Sequence, residues 1–272
     1  MAATSRRSLE QFSTDVEDLH AAILRLPDQV PEQRRLLEER EPNDQVLIGV
    51  LRRAVPLSFL EAVVATEPWN RRSVILAAVA LSPRISHVLA MRVLPQLPWR
   101  ALAQVSSTPR LSGPVRLRAE TLLKEILPDL KLGERIALAR QASNATLRLL
   151  LADTEARVVE AALMNPRLRE EDVQYAVGRD GATRTLLEQV AESWRWRESY
   201  ALRVALASHP RTPIAVSLGR LTALLDKDLR RVAVSPGLRA VVQAAALRVL
   251  DERAAGGSDV TDSQNEDSED HS

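Results

Sequence analysis

Apolar residues recur along this chain at the spacing of helices that bury one face. Val158, Ala161 and Ala162 show it, as do Leu202, Ala205 and Leu206, and then Val242, Ala245, Ala246 and Val249. Residues spaced by three and four lie on one side of an α-helix. The apolar stretches are short and cut by prolines. Pro42, Pro83, Pro128, Pro166 and Pro210 stand 41, 45, 38 and 44 residues apart, a mean of 42. A second series, Pro68, Pro109 and Pro236, follows Pro42, Pro83 and Pro210 by 26 residues. Proline offers no N–H to a helix interior, so a periodic proline marks a periodic corner.

A shift of 127 residues, about three such periods, lays Trp69–Leu123 on Trp196–Leu250 without a gap. Trp69 meets Trp196, and Pro83-Arg84 meets Pro210-Arg211. Leu94, Leu97, Leu102 and Val105 meet Leu221, Leu224, Leu229 and Val232. Val115, Ala119 and Leu123 meet Val242, Ala246 and Leu250. Each period reads as three short helices. In the one starting at Pro83, helices are predicted near 86–95, from Pro98 to about Val105, and from Pro114 to about Ile126. In the last, Thr212-Pro213 reads as an N-cap and first helical residue, Asp226 caps a second helix, and Gly237 precedes the third.

A single such unit cannot bury its apolar face alone, so neighbours must stack. The expected fold is all-α: a right-handed α-solenoid of about five units, near 42–82, 83–127, 128–165, 166–209 and 210–251. Residues 14–41 read as an N-terminal cap, opened by the capping-box pattern Thr14-Asp15-Val16-Glu17, and with it the repeat domain covers 14–253. Residues 1–13 are expected to be flexible. Residues 254–272, Ala-Ala-Gly-Gly-Ser followed by Asp, Ser and Glu, have almost nothing to bury and are expected to be a disordered acidic tail. The stretches 144–154 and 179–194 break the pattern and blur the unit boundaries there.

The strings from Glu155 to Leu168, with Ala156-Arg157-Val158 leading to Asn165-Pro166-Arg167, and from Tyr200 to Pro213 resemble armadillo/HEAT-like repeats, in particular those of bacterial leucine-rich-repeat-variant proteins. Such units show Val-Arg-x-x-Ala, then a small or polar residue, proline and the next helix. The resemblance covers residues 42–251 loosely. It implies a binding scaffold, which the absence of cysteine leads us to expect in the cytoplasm, and it carries over no active site.

Composition narrows the chemistry. The chain has no cysteine, which excludes disulfides, thiol catalysis and Cys-type zinc sites. Aromatic residues are only 3%, so the core must be built from Leu, Val, Ala and Ile. Arg6-Arg7 leads into Ser8-Leu9-Glu10-Gln11 rather than an apolar stretch, so no secretory leader is read. The longest apolar run, Val74 to Leu81, is far too short to span a bilayer, and no membrane insertion is expected. Residues 251–272 hold eight acids against Arg253, about −7, and since the whole chain is +1 the body carries about +8. That positive charge is nearly all arginine.

No catalytic constellation is visible, and the expectation is a non-enzymatic chain without cofactor or metal. His20, His87, His209 and His271 show no ligand spacing, and His209 falls at a corner position held elsewhere by Ser82 and Asn165, which points to corner hydrogen bonding. Glu170-Glu171-Asp172 and Asp226/Asp228 follow corners, where acids favour a helix N-terminus. Trp196 matches Trp69 and reads as packing. Trp99 and Trp194 have no matching tryptophan and are candidate partner contacts, together with Arg195 and Arg197 of the Trp-Arg-Trp-Arg segment. Arg84, Arg110, Arg167 and Arg211 each follow a corner proline and form either an anion-binding row or local ties to helix C-terminal carbonyls. A protein partner is the first expectation. Nucleic-acid binding, or a HEAT-like DNA-glycosylase-type role for the arginine-rich face, is the alternative.

Overall fold

A computed structural model describes residues 2–266, with side chains described from 11 to 255. The described residues form seventeen α-helices and no strand. None of these helices is long and apolar enough to cross a membrane.

The first two helices are α1 (Ala2–Arg25) and α2 (Val30–Arg40). The stretch from Pro42 holds α3 (Asp44–Leu51), α4 (Leu57–Ala65) and α5 (Ser73–Ala80). From Pro83 come α6 (His87–Val93), α7 (Trp99–Ser106) and α8 (Gly113–Ile126). From Pro128 come α9 (Leu132–Gln141), α10 (Asn144–Leu150) and α11 (Ala156–Leu163). From Pro166 come α12 (Glu170–Gly178), α13 (Arg184–Glu192) and α14 (Tyr200–Ser208). From Pro210 come α15 (Ile214–Leu221), α16 (Asp226–Ala233) and α17 (Ala240–Glu266). The proline period therefore delimits triplets of helices. The irregular stretches hold α10 and α13, short helices whose corners lack the proline.

The chain divides into two compact units, Met1–Leu130 with Gln141–Thr146, and Lys131–Arg140 with Leu147–Ser272. Within each, burial follows the sequence pattern. Leu94, Leu102, Val105, Val115 and Ala119 are buried in the first unit, and their matches Leu221, Leu229, Val232, Val242 and Ala246 are buried in the second. Trp69 and Trp196 are both buried.

The corners share one construction. In Ser82-Pro83-Arg84-Ile85, the Ile85 N–H donates to the Ser82 carbonyl at 3.3 Å. The same turn is made by Leu111 to Thr108 at 3.2 Å, Leu168 to Asn165 at 3.1 Å, Thr212 to His209 at 3.1 Å and Leu238 to Ser235 at 3.4 Å. Each is a β-turn with proline second, where its fixed φ fits and its missing N–H is not needed. Arginine stands third in four of them. The fifth has Gly237 at φ +87°, a left-handed backbone that arginine rarely adopts.

Some boundaries differ from expectation. Helix α1 runs from Ala2, and Thr14 lies inside it, because no breaker precedes Phe12, Val16, Leu19 and Ile23, which continue one helical face. Val16, Leu19 and Ile23 are buried there. Gly49 lets α1 approach α3 closely, since a Cβ on it would stand 2.8 Å from Val16 Cγ2. Pro213, not Thr212, is the N-cap position of α15, and Leu225 precedes α16, whose first residue is Asp226. Helix α17 continues past Arg253 to Glu266, through Gly256-Gly257, where the sequence pattern predicts the start of the tail. The remainder of that tail, 267–272, and the side chains beyond 255 lie outside the described residues, as do the side chains before 11.

Candidate functional site

Arginine supplies many of the ties between helices. Arg110 donates from Nη2 to the Leu81 carbonyl at 3.2 Å, at the C-terminus of α5. Arg220 reaches Ala191 O near the end of α13 at 2.5 Å. Arg253 reaches Thr222 O at 2.7 Å and Leu224 O at 2.9 Å beyond α15, and also the Asp226 carboxylate at 2.6 Å. The last carbonyls of a helix have no partner within it and carry partial negative charge, so a guanidinium satisfies both needs.

The Trp194-Arg195-Trp196-Arg197 segment separates into inward and outward residues. Arg195 turns in. It donates to Asn165 O at 2.8 Å and Leu168 O at 3.0 Å, and lies 4.3 Å from the centre of the Trp196 ring. Trp196 is buried and donates from Nε1 to Leu163 O at 3.0 Å. Arg195 and Trp196 thus clamp the end of α11 and the corner after it. Arg197 is exposed and meets Glu198 at 3.2 Å. Trp194 is 67% exposed.

The other expected site residues scatter. Arg84, Arg110, Arg167 and Arg211 are all exposed in the third position of their turns, two in each compact unit. Trp99 is not a surface residue: it is 6% exposed in α7, and its ring is covered by Arg100 at 4.6 Å. An indole at the start of a helix whose inner face holds Leu102 and Val105 is drawn in with them, which removes Trp99 as a partner contact.

Carboxylates are likewise absorbed. Asp172, in the first turn of α12, is 2% exposed and takes Arg148 at 2.5 Å and the Arg169 N–H at 3.3 Å. Asp153 accepts Arg135 on both oxygens, at 2.9 and 2.7 Å. Asp228, in the first turn of α16, accepts the Tyr200 hydroxyl at 2.5 Å and Arg231 at 3.3 Å. The Tyr200 phenol is raised above its ordinary value of 10.0, first by desolvation and then by the Asp228 hydrogen bond. The Leu225 N–H, which donates to the same hydroxyl at 3.0 Å, and Arg203 act the other way.

Among the outward features are a hollow of about 780 Å³ in the first unit, lined by Glu38, Asp44, Glu67 and Arg72, and a groove along α11 in the second. Val158, Val159, Ala162 and Leu163 of α11 are buried, while Arg157 and Glu160 face out with Met164, which follows the helix. Two hollows flank this face, of about 330 and 350 Å³, and both are lined by Glu160 and Met164. The first is completed by Ile136 and Arg140 of α9 and by Arg157, the second by Gln189 and Glu192 of α13 and by Trp194. Met164 is 44% exposed. Sequence reading singled out Trp194 but missed Arg140, Arg157, Glu160, Met164 and Glu192. Part of the signal was present, since Arg157, Glu160, Ala161 and Met164 share one side of α11 opposite its buried face. The contributions of α9 and α13 come from separate helices, which no spacing announces.

Chemically, this surface offers an exposed indole, a thioether, two guanidiniums and two carboxylates. Among the described residues no group of three metal-ligating side chains converges. Comparison of the sequence with family models, with characterised proteins and with solved structures finds no match in any of the three.

Proposed function

We propose that this chain is a non-enzymatic protein-interaction scaffold, an armadillo/HEAT-like α-solenoid of about five three-helix units, acting in the cytoplasm. The observation that carries the reading is the exposure of Trp194 and Met164 beside the hollows of α11, while Asp153, Asp172 and Asp228 are taken up in ties between helices. An exposed indole and thioether flanking one pair of hollows give a partner apolar surface to cover, and tryptophan is enriched among the residues that carry binding energy. Affinity capture from the native host, with nuclease present, tests it. A protein retained by the native chain and lost with W194A supports the scaffold. Equal retention by both, or turnover of a substrate that single substitutions in one hollow abolish, refutes it.

Nucleic-acid binding is the second reading, and the exposed Arg84, Arg110, Arg167 and Arg211 favour it. It requires affinity for duplex DNA or RNA that falls steeply from low to moderate salt. Flat affinity, or none at low salt, removes it. Against it stand the many arginines already committed to carbonyls and carboxylates.

A further inference from the structure

The α11 groove carries unanswered charge of both signs, ordered along its length. Arg140 and Arg157 line one hollow; both are exposed, and neither has an ion pair among the described residues. Glu192 lines the other, with Glu160 between the two, and these carboxylates are also exposed and unpaired among the described residues. Met164 sits between the basic and the acidic hollow, and Trp194 at the acidic one.

An occupant of this groove must meet three demands together. It must cover an indole and a thioether with apolar surface, bring acid to Arg140 and Arg157, and bring base to Glu192. A uniformly acidic or basic partner satisfies one end and repels the other, and like charges brought together across an interface are strongly disfavoured. The α11 surface itself meets all three demands. Turned by a two-fold axis near Met164, a second copy brings its Glu192 toward Arg140 and Arg157, offers its own arginines to the first copy's Glu192, sets Met164 beside Met164 and lays each Trp194 over the hollow that holds Ile136. This is an isologous contact, the commonest way for a surface to pair with itself.

We propose that the occupant of the α11 groove is a second copy of this chain, forming a symmetric homodimer through α11 and its flanking residues. The proposal rests on the reading of this groove as a protein-binding surface and names its partner.

Light scattering or sedimentation of the full chain at rising concentration reads the pairing directly. The native chain forms a dimer. An acidic-groove variant, Arg140→Glu with Arg157→Glu, and a basic-groove variant, Glu160→Arg with Glu192→Arg, each remain monomeric, with at least tenfold weaker self-association. Mixed together, the two variants form a heterodimer. Circular dichroism confirms that each is folded, and because all four positions are exposed the helices have no reason to be lost. A native chain that stays monomeric overturns the proposal. So does a dimer that both charge variants retain, or a pair of folded variants that fail to combine. If the native chain is monomeric but still captures a nuclease-resistant partner dependent on Trp194, self-pairing falls and the scaffold stands. If neither is seen, both fall.

Discussion

Asn165 and His209 stand 44 residues apart and close their corners with the same two hydrogen bonds. Asn165 Oδ1 accepts from the Arg167 N–H at 2.9 Å, and His209 Nδ1 accepts from the Arg211 N–H at 3.1 Å. On the far side, Asn165 Nδ2 donates to Ala139 O at 2.7 Å, and His209 Nε2 faces Arg179 O at 3.1 Å. With Nδ1 accepting, the ring proton belongs on Nε2, which donates to that carbonyl. Each side chain joins the end of the third helix of its triplet to the end of the first.

This equivalence makes His209→Asn a mild substitution and His209→Ala a costly one. Alanine leaves the Arg211 turn N–H without its partner and the Arg179 carbonyl with only the Ala182 N–H, a loss of about 1–3 kcal/mol. Asparagine is expected to restore both bonds, to within about 1 kcal/mol of the native chain. Denaturant unfolding of the three proteins checks the order. Equal losses for Asn and Ala would mean that the imidazole matters for its volume or its charge.

The corners were legible because proline leaves a mark that packing does not erase: a residue without an N–H is confined to the places where none is needed. The shared role of Trp69 and Trp196 was legible because each vouched for the other across 127 residues. Trp99 and Trp194 had no such counterpart, and one proved buried and the other exposed. Only neighbours in space distinguish them. Arg195 was read as a contact residue for the same reason, since nothing in Trp-Arg-Trp-Arg announces that the carbonyls of Asn165 and Leu168 converge on it. The early start of α1 is not legible at Thr14, because a capping-box pattern there imitates a helix start inside a stretch that no breaker interrupts.

Arg195 and Arg197 should therefore differ in kind. Removing Arg195 takes its bond from the Leu168 carbonyl, leaves the Asn165 carbonyl with only the Leu168 N–H and uncovers Trp196, so Arg195→Ala is expected to cost about 1–3 kcal/mol. Trp196→Ala, which opens a cavity, should cost about 3–5 kcal/mol. Arg197, exposed beside Glu198, should change stability by less than about 0.5 kcal/mol. Thermal or chemical unfolding ranks the three. A destabilised Arg197→Ala would show that the segment packs differently.

Tyr200 links pH to stability from the alkaline side. Its phenol gives up a proton less readily in the folded chain than its ordinary value of 10.0 implies, because desolvation and Asp228 both oppose a phenolate. Folding thus favours the neutral form. The stabilisation is whole below pH 10.0 and is lost as pH rises through the raised value. Tyrosinate absorbance should finish rising at higher pH in the native chain than in Tyr200→Phe, and the variant should lose less stability over that alkaline range. Identical curves would place Tyr200 in solvent, away from Asp228.

Tryptophan emission gives a direct view of the groove. Trp69, Trp99 and Trp196 are buried at 4%, 6% and 5% exposure, and Trp194 stands at 67%. A quencher that acts by collision, such as iodide, should therefore reach one class of indole in dilute protein. Trp194→Phe should remove that class and leave the shielded emission intact. A quenchable fraction that survives the substitution would place the exposed indole elsewhere and strip the groove of its apolar anchor. As concentration rises to where copies pair, the fraction should fall in the native chain, because a second α11 surface covers Trp194. In the acidic-groove variant, whose copies repel, it should stay constant over the same range.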